Sequence, residues 1–111
     1  SQEEAISVLQ VTLFFLEEKE VWDKESIEKA SHVAAKVLDM HHKKKIIPIL
    51  FGAIMGKKNG PPLFASVAIL GKERTRARLL RAITFLGGLS TKKLDKLKKF
   101  WEEKRNSLFE V

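Results

Sequence analysis

Arg74, Arg78 and Arg81 follow one another at intervals of four and three residues, the spacing that stacks side chains on one face of an α-helix. Such a stripe suits phosphate chemistry. Each guanidinium is a planar fork that grips two oxygens at once and never loses its charge. Phe85, four positions further on, extends the stripe and offers a ring on which an unpaired base can stack. The competing reading is a solvated basic face with Phe85 packed under the next helix. For Phe85 that packed position is the expectation, because an exposed Phe is a liability. Arg76 falls outside the stripe, at the edge of the apolar side.

A second cationic group lies beyond Gly87 and Gly88, where Ser90 or Thr91 caps a helix carrying Lys92, Lys93 and Lys96. Residues 82–98 resemble a helix-turn-helix, with Gly88 in the turn, Leu89 just after it, and Leu94 and Leu97 as anchors of the second helix. The resemblance implies that Lys92, Lys93 and Lys96 face a DNA groove, with Ser90 and Thr91 at the helix start. Thr84 stands where alanine is commoner, and Gly87 is an extra glycine. The stretch has no Asn or Gln, and Asp95 would repel phosphate, so backbone contacts should outweigh base readout.

The third group is "MHHKKKI", residues 40–46. Lys43, Lys44 and Lys45 extend the basic surface together with His42, while His41 is expected at the edge of the core. Metal binding is not expected: adjacent histidines diverge on a helix, and His32 lies nine positions before His41 with no carboxylate nearby to complete a set. Nothing assembles a catalytic centre either. Cysteine is absent, "GKKNGPP" lacks the strand context and spacing of a phosphate loop, and no serine sits in a nucleophile elbow. Glu17, Glu18 and Glu20 read as charged surface. No cofactor is implied, and the chain reads as a non-enzyme.

The net charge of +7 conceals an asymmetry. Residues 1–31 hold eight acids against three bases, whereas residues 32–111 hold eighteen bases against six acids. A surface polarised in this way draws an anionic partner to one side, or pairs its two halves internally.

The elements that must position these groups are helical throughout, since the apolar spacing is helical and strict alternation is absent. The first helix starts at Ser1, with Glu4 completing a capping box, and runs to about Glu20. Ile6, Leu9, Leu13 and Leu16, widened by Ala5, Val8, Val11 and Phe15, make it apolar over most of its girth, with Glu3, Ser7, Gln10 and Glu17 as a narrow polar stripe. A helix of that kind is the buried centre of a bundle. The second starts near Asp23 and ends in "HHKKK"; "IIPILFGAIMG" and "LFASVAIL" form a short apolar hairpin around the turn "KKNGPP". Lys72 to Leu86 make the fifth helix, with Leu79, Leu80, Ile83 and Leu86 inward. The sixth carries Leu94, Leu97, Trp101 and Leu108 as its seam, and Trp101 and Phe100 should anchor it.

The expectation is therefore an all-α bundle of five or six helices around a buried first helix, one domain over residues 1–111. "SQEEAIS" opens without Met and without the pattern of a signal peptide, as a piece of a longer protein would. No apolar run reaches the ~18 residues of a membrane span, and the absence of cysteine suits the cytoplasm. Helices five and six are expected to bind nucleic acid, DNA in preference to RNA because the surface is helical and offers no sheet-borne aromatic platform. The role would be that of a regulator, or of an accessory domain contacting template beside a replication or processing enzyme. The alternative is a protein-interaction adaptor with complementary acidic and basic faces. It is similar to death-fold adaptors in helix count and size alone.

Overall fold

Ser1 opens the fold as a cap. Its hydroxyl accepts from the Glu4 backbone N–H at 3.2 Å, and the Glu4 carboxylate accepts from the N-terminal amino group at 3.2 Å. The computed structural model describes residues 1–57 and 59–109, and these form six α-helices: α1 (Gln2–Glu17), α2 (Lys24–Leu38), α3 (Ile47–Met55), α4 (Leu63–Leu70), α5 (Lys72–Phe85) and α6 (Thr91–Phe109). There is no strand among the described residues, and no helix among them is long and apolar enough to cross a membrane. The all-α bundle expected from the sequence is the fold observed.

α1 is its axis. The helix packs most extensively on α2 and α5 and also meets α3 and α6. It buries Ile6, Val8, Leu9, Val11, Leu13, Phe15 and Leu16, and with them Gln10 and Thr12. The polar stripe is thus interrupted at Gln10, because neighbours enclose the helix on nearly every side. α2 starts at Asp23, whose carboxylate accepts from the Ser26 N–H at 2.8 Å. It turns small residues (Ala30, Ser31, Ala34, Ala35) inward, which permits close helix–helix approach.

The second helix does not run through "HHKKK" as expected. Asp39 takes a left-handed conformation (φ 53°) and stops α2, and His42–Ile46 wind as one π-helical turn leading straight into α3. His41 caps that turn, its Nδ1 accepting from the Lys44 N–H at 3.1 Å. Pro48 sits in the first turn of α3, where its missing N–H leaves no gap in the hydrogen-bond ladder. The turn expected at "KKNGPP" includes Lys58, which lies outside the described residues.

Gly71 (φ 94°, ψ 158°) is the whole junction between α4 and α5, in a region of backbone space open essentially to glycine alone. After α5, the Gly87 and Gly88 N–H groups bond back to Thr84 O (3.1 Å) and Ile83 O (2.8 Å), with both glycines at positive φ. α6 meets the bundle chiefly through Trp101, which is 5% exposed. It stacks on Phe14 (centroids 4.8 Å apart) and presents an edge to Phe15 (5.5 Å). Phe100 and Leu108, expected in the anchor and the seam, are exposed instead. Only one narrow face of α6 is covered, and it is the face that Trp101 occupies.

Candidate nucleic-acid interface

The cations of α5 divide into two sets. Leu79, Ile83 and Thr75 are buried, and this fixes the rotation of the helix and turns Arg74, Arg78, Arg81 and Phe85 outward. Three side chains tie α5 to the bundle, one of them from the stripe itself. Lys72 Nζ donates to Glu17 O (3.2 Å) and Lys19 O (3.1 Å) at the end of α1. Arg76 lies 3.7 Å from the Glu17 carboxylate. Arg78, a member of the stripe, donates through one guanidinium nitrogen to Ile54 O at 2.7 Å, in the last turn of α3. Arg78 therefore has a structural role that the spacing did not reveal. Arg74 and Arg81 have no hydrogen bond or ion pair among the described residues.

On α6, Ser90 is the cap: its Oγ accepts from the Lys93 N–H at 3.1 Å. Thr91, Lys92, Lys93 and Lys96 are exposed. Lys93 and Lys96 border an open groove of about 380 Å³ between α1 and α6, floored by Ile6, Leu89 and Leu97. On the π-helical turn Lys43, Lys44 and Lys45 are exposed, and Lys45 lies 3.6 Å from Glu4. With Arg105–Glu18, these ion pairs join the acidic first part of the chain to the basic remainder. The charge asymmetry is partly consumed inside the molecule, to little energetic effect at exposed positions.

Several expectations are corrected here. The helix-turn-helix requires the second helix to be anchored on the first, but α6 packs principally on α1 and α2, and Leu94 and Leu97 are only half-buried. Phe85 does not pack under α6. It is 88% exposed, because two left-handed glycines carry the chain away before α6 can cover it. The two histidines exchange roles. His41 is the exposed cap, and His42 is the enclosed residue, stacked on His32 with centroids 3.6 Å apart and near Phe64. Ser31 gives its one hydroxyl proton to Glu28 O (2.6 Å), so His42 Nε2, 2.8 Å from Ser31 Oγ, is the donor in that pair. Burial, and then the neighbouring His32, push the His42 pKa down. No group of three metal-ligating side chains occurs among the described residues.

Fold and surface together define a helical module with an exposed basic face, of the kind that meets nucleic acid. The chain belongs to the anticodon binding domain family, whose model matches residues 1–83. It is 47% identical over 104 residues to the glutamate--tRNA ligase of Protochlamydia amoebophila, covering 94% of this chain and 21% of that protein. It is 46% identical over 91 residues to that of Chlamydia trachomatis serovar D, covering 82% and 18%, and 41% identical over 112 residues to that of Chlamydophila psittaci, covering 98% and 22%. The chain thus spans about a fifth of the length of the curated relatives it matches.

These findings agree with nucleic acid as the class of partner and overturn two expectations. The preference for DNA is withdrawn, since an anticodon is a piece of RNA. The reading as a non-enzyme is overturned too, because the relatives are ligases. A chain spanning about a fifth of an enzyme's length cannot speak for the whole. α6, with Lys92, Lys93 and Lys96, lies beyond the stretch matched by the family model.

Proposed function

We propose that the chain is the anticodon-binding part of a glutamate--tRNA ligase and that it grips the anticodon region of its tRNA through α5, the start of α6 and the π-helical turn. The ligase activity would belong to the longer protein, acting in the cytoplasm. The observation that carries the reading is the sorting of cations on α5 within a chain of this family. Lys72 and Arg76 are spent on the fold, whereas Arg74 and Arg81 project on the outward face without partners among the described residues. Unpartnered guanidinium groups on a rigid helix are preorganised for phosphate. Ser90, Thr91, Lys92, Lys93 and Lys96 are exposed beyond the turn, and Lys43, Lys44 and Lys45 are exposed on the π-helical turn.

The test is a titration of a labelled anticodon stem-loop RNA of a glutamate tRNA, and of a DNA duplex of similar charge, at low and moderate salt. The stem-loop should bind at low micromolar protein or tighter, and more tightly than the duplex. Affinity should fall on adding salt, by about one power of the salt ratio for each phosphate that the protein neutralises. No binding of the stem-loop at low micromolar protein would overturn the proposal.

A further inference from the structure

Phe85 is the outlier of this surface. It is exposed almost entirely, at the end of a helix whose other large apolar residues are covered wholly or in part. Its surroundings are specific. Phe85 borders an apolar groove of about 270 Å³, walled on the α3 side by Pro48, Gly52 and Ala53. A second depression of about 270 Å³ shares Ala53 and is bordered by Arg78 and Arg81. Arg81 lies one turn before Phe85 on the same face of α5, so a ring and a guanidinium stand side by side along one edge. Gly52 keeps the opposite edge low: it bears no side chain, and its backbone has open space where a Cβ would stand.

From this juxtaposition we propose that the α3–α5 groove holds one unpaired nucleotide of RNA, its base stacked on Phe85 and its phosphate held by Arg81. The inference rests on the tRNA-binding reading above and adds to it a site and a mode. The apolar groove provides the platform, and the adjoining arginines provide the complementary charge, with Arg78 as the inner wall. Every base has a π-face, and the groove residues Pro48, Gly52, Ala53 and Phe85 carry no side-chain donor or acceptor. The site is therefore indifferent to which base it takes. It would hold a nucleotide in place while identity is read elsewhere.

The experiment compares the chain with Phe85→Ala, Phe85→Leu, Phe85→Trp and Arg81→Gln in binding the anticodon stem-loop and single-stranded hexanucleotides of each base. All four substitutions lie on exposed side chains, so far-UV circular dichroism should be unchanged. Phe85→Ala and Phe85→Leu should each weaken binding about 5- to 150-fold, the range of one missing base stack, and to the same extent for every hexanucleotide. Phe85→Trp should retain affinity, and RNA should quench its indole fluorescence beyond the signal of Trp22 and Trp101. Arg81→Gln should lower the slope of log affinity against log salt by ~0.7, the single-strand value for one phosphate. Wild-type affinity in Phe85→Leu, or unquenched fluorescence in Phe85→Trp, would overturn the stacking site while leaving RNA binding by the chain intact. Self-association of the wild type that Phe85→Ala abolishes, with RNA affinity unchanged, would overturn it in favour of a protein contact. Failure of the unmodified chain to bind any RNA would remove the underlying reading together with this one.

Discussion

Replacing Trp101 by alanine removes the one residue of α6 that is buried among those described. The indole is 5% exposed, stacked on Phe14 at 4.8 Å and edge-on to Phe15 at 5.5 Å, with the Arg105 guanidinium 4.7 Å over its ring. Truncating a large buried aromatic costs ~3–5 kcal/mol. Two ring–ring contacts, each worth ~0.5–1.5 kcal/mol beyond the buried area, argue for the upper part of that range. The Trp101 Nε1 has no hydrogen-bond partner among the described residues, so deleting it strands no acceptor there. Urea unfolding followed by far-UV circular dichroism reads the effect. With a slope of ~1–3 kcal/mol/M for a small protein, the midpoint should fall by about 2 M. Trp101→Phe keeps a ring against Phe14 and Phe15 and should lose less than half as much. An alanine variant within error of wild type would show that α6 is held by something other than this aromatic cluster.

Four further outcomes follow from the same geometry. Ser90→Ala, which removes the cap on α6, should cost ~1 kcal/mol in the same urea assay, whereas Thr91→Ala should cost less. Arg78→Gln should destabilise the fold by ~1–2 kcal/mol because it frees Ile54 O, and should also weaken RNA binding; an unchanged midpoint would show that bond to be idle. Lys93→Gln should leave the midpoint unchanged and lower the salt slope of stem-loop binding by ~0.7–0.9, equally for all sequences; a changed sequence preference would show that α6 reads bases. His42, its pKa depressed by burial, favours the neutral form in the folded state, so the unfolded chain takes up its proton first. Stability should be flat above the ordinary histidine range and fall as pH drops from about 6.5 toward the folded value; His42→Gln should flatten that slope, and equal slopes in both proteins would refute the assignment.

Much of the fold was legible from spacing and punctuation. The girth of apolar residues on α1 marked it as the axis, and Gly71, Gly87 and Gly88 marked helix boundaries because few other residues take their backbone angles. What lay beyond reach was the third dimension of each stripe. Spacing put Arg78 beside Arg74 and Arg81, but only the position of α3 decides that Arg78 meets a backbone carbonyl while the others do not. Phe85 reads as packed under the next helix because sequence cannot tell that the chain turns away before α6 could cover it. Likewise "HH" could not reveal which imidazole would be enclosed, since that follows from Asp39 ending α2. RNA was not separable from DNA, because a guanidinium binds the phosphate of either in the same way. The ligase kinship was equally out of reach, since the sequence carries no catalytic motif from which to infer it.

The bonds from α5 to the ends of α1 and α3 have a consequence for how the bundle opens. α1 carries no base in its own last turn, and the negative end of its dipole is closed by Lys72, across 53 to 55 residues of chain. α3 receives Arg78 in the same way, across 24 residues. Both contacts exist only while α5 is docked, so α5 couples the ends of α1 and α3 to its own place in the bundle. Amide exchange near Phe15–Lys19 and at the end of α3 should then report opening at α5 rather than local fraying. α5 is thus at once a surface helix and the piece that joins the ends of α1 and α3.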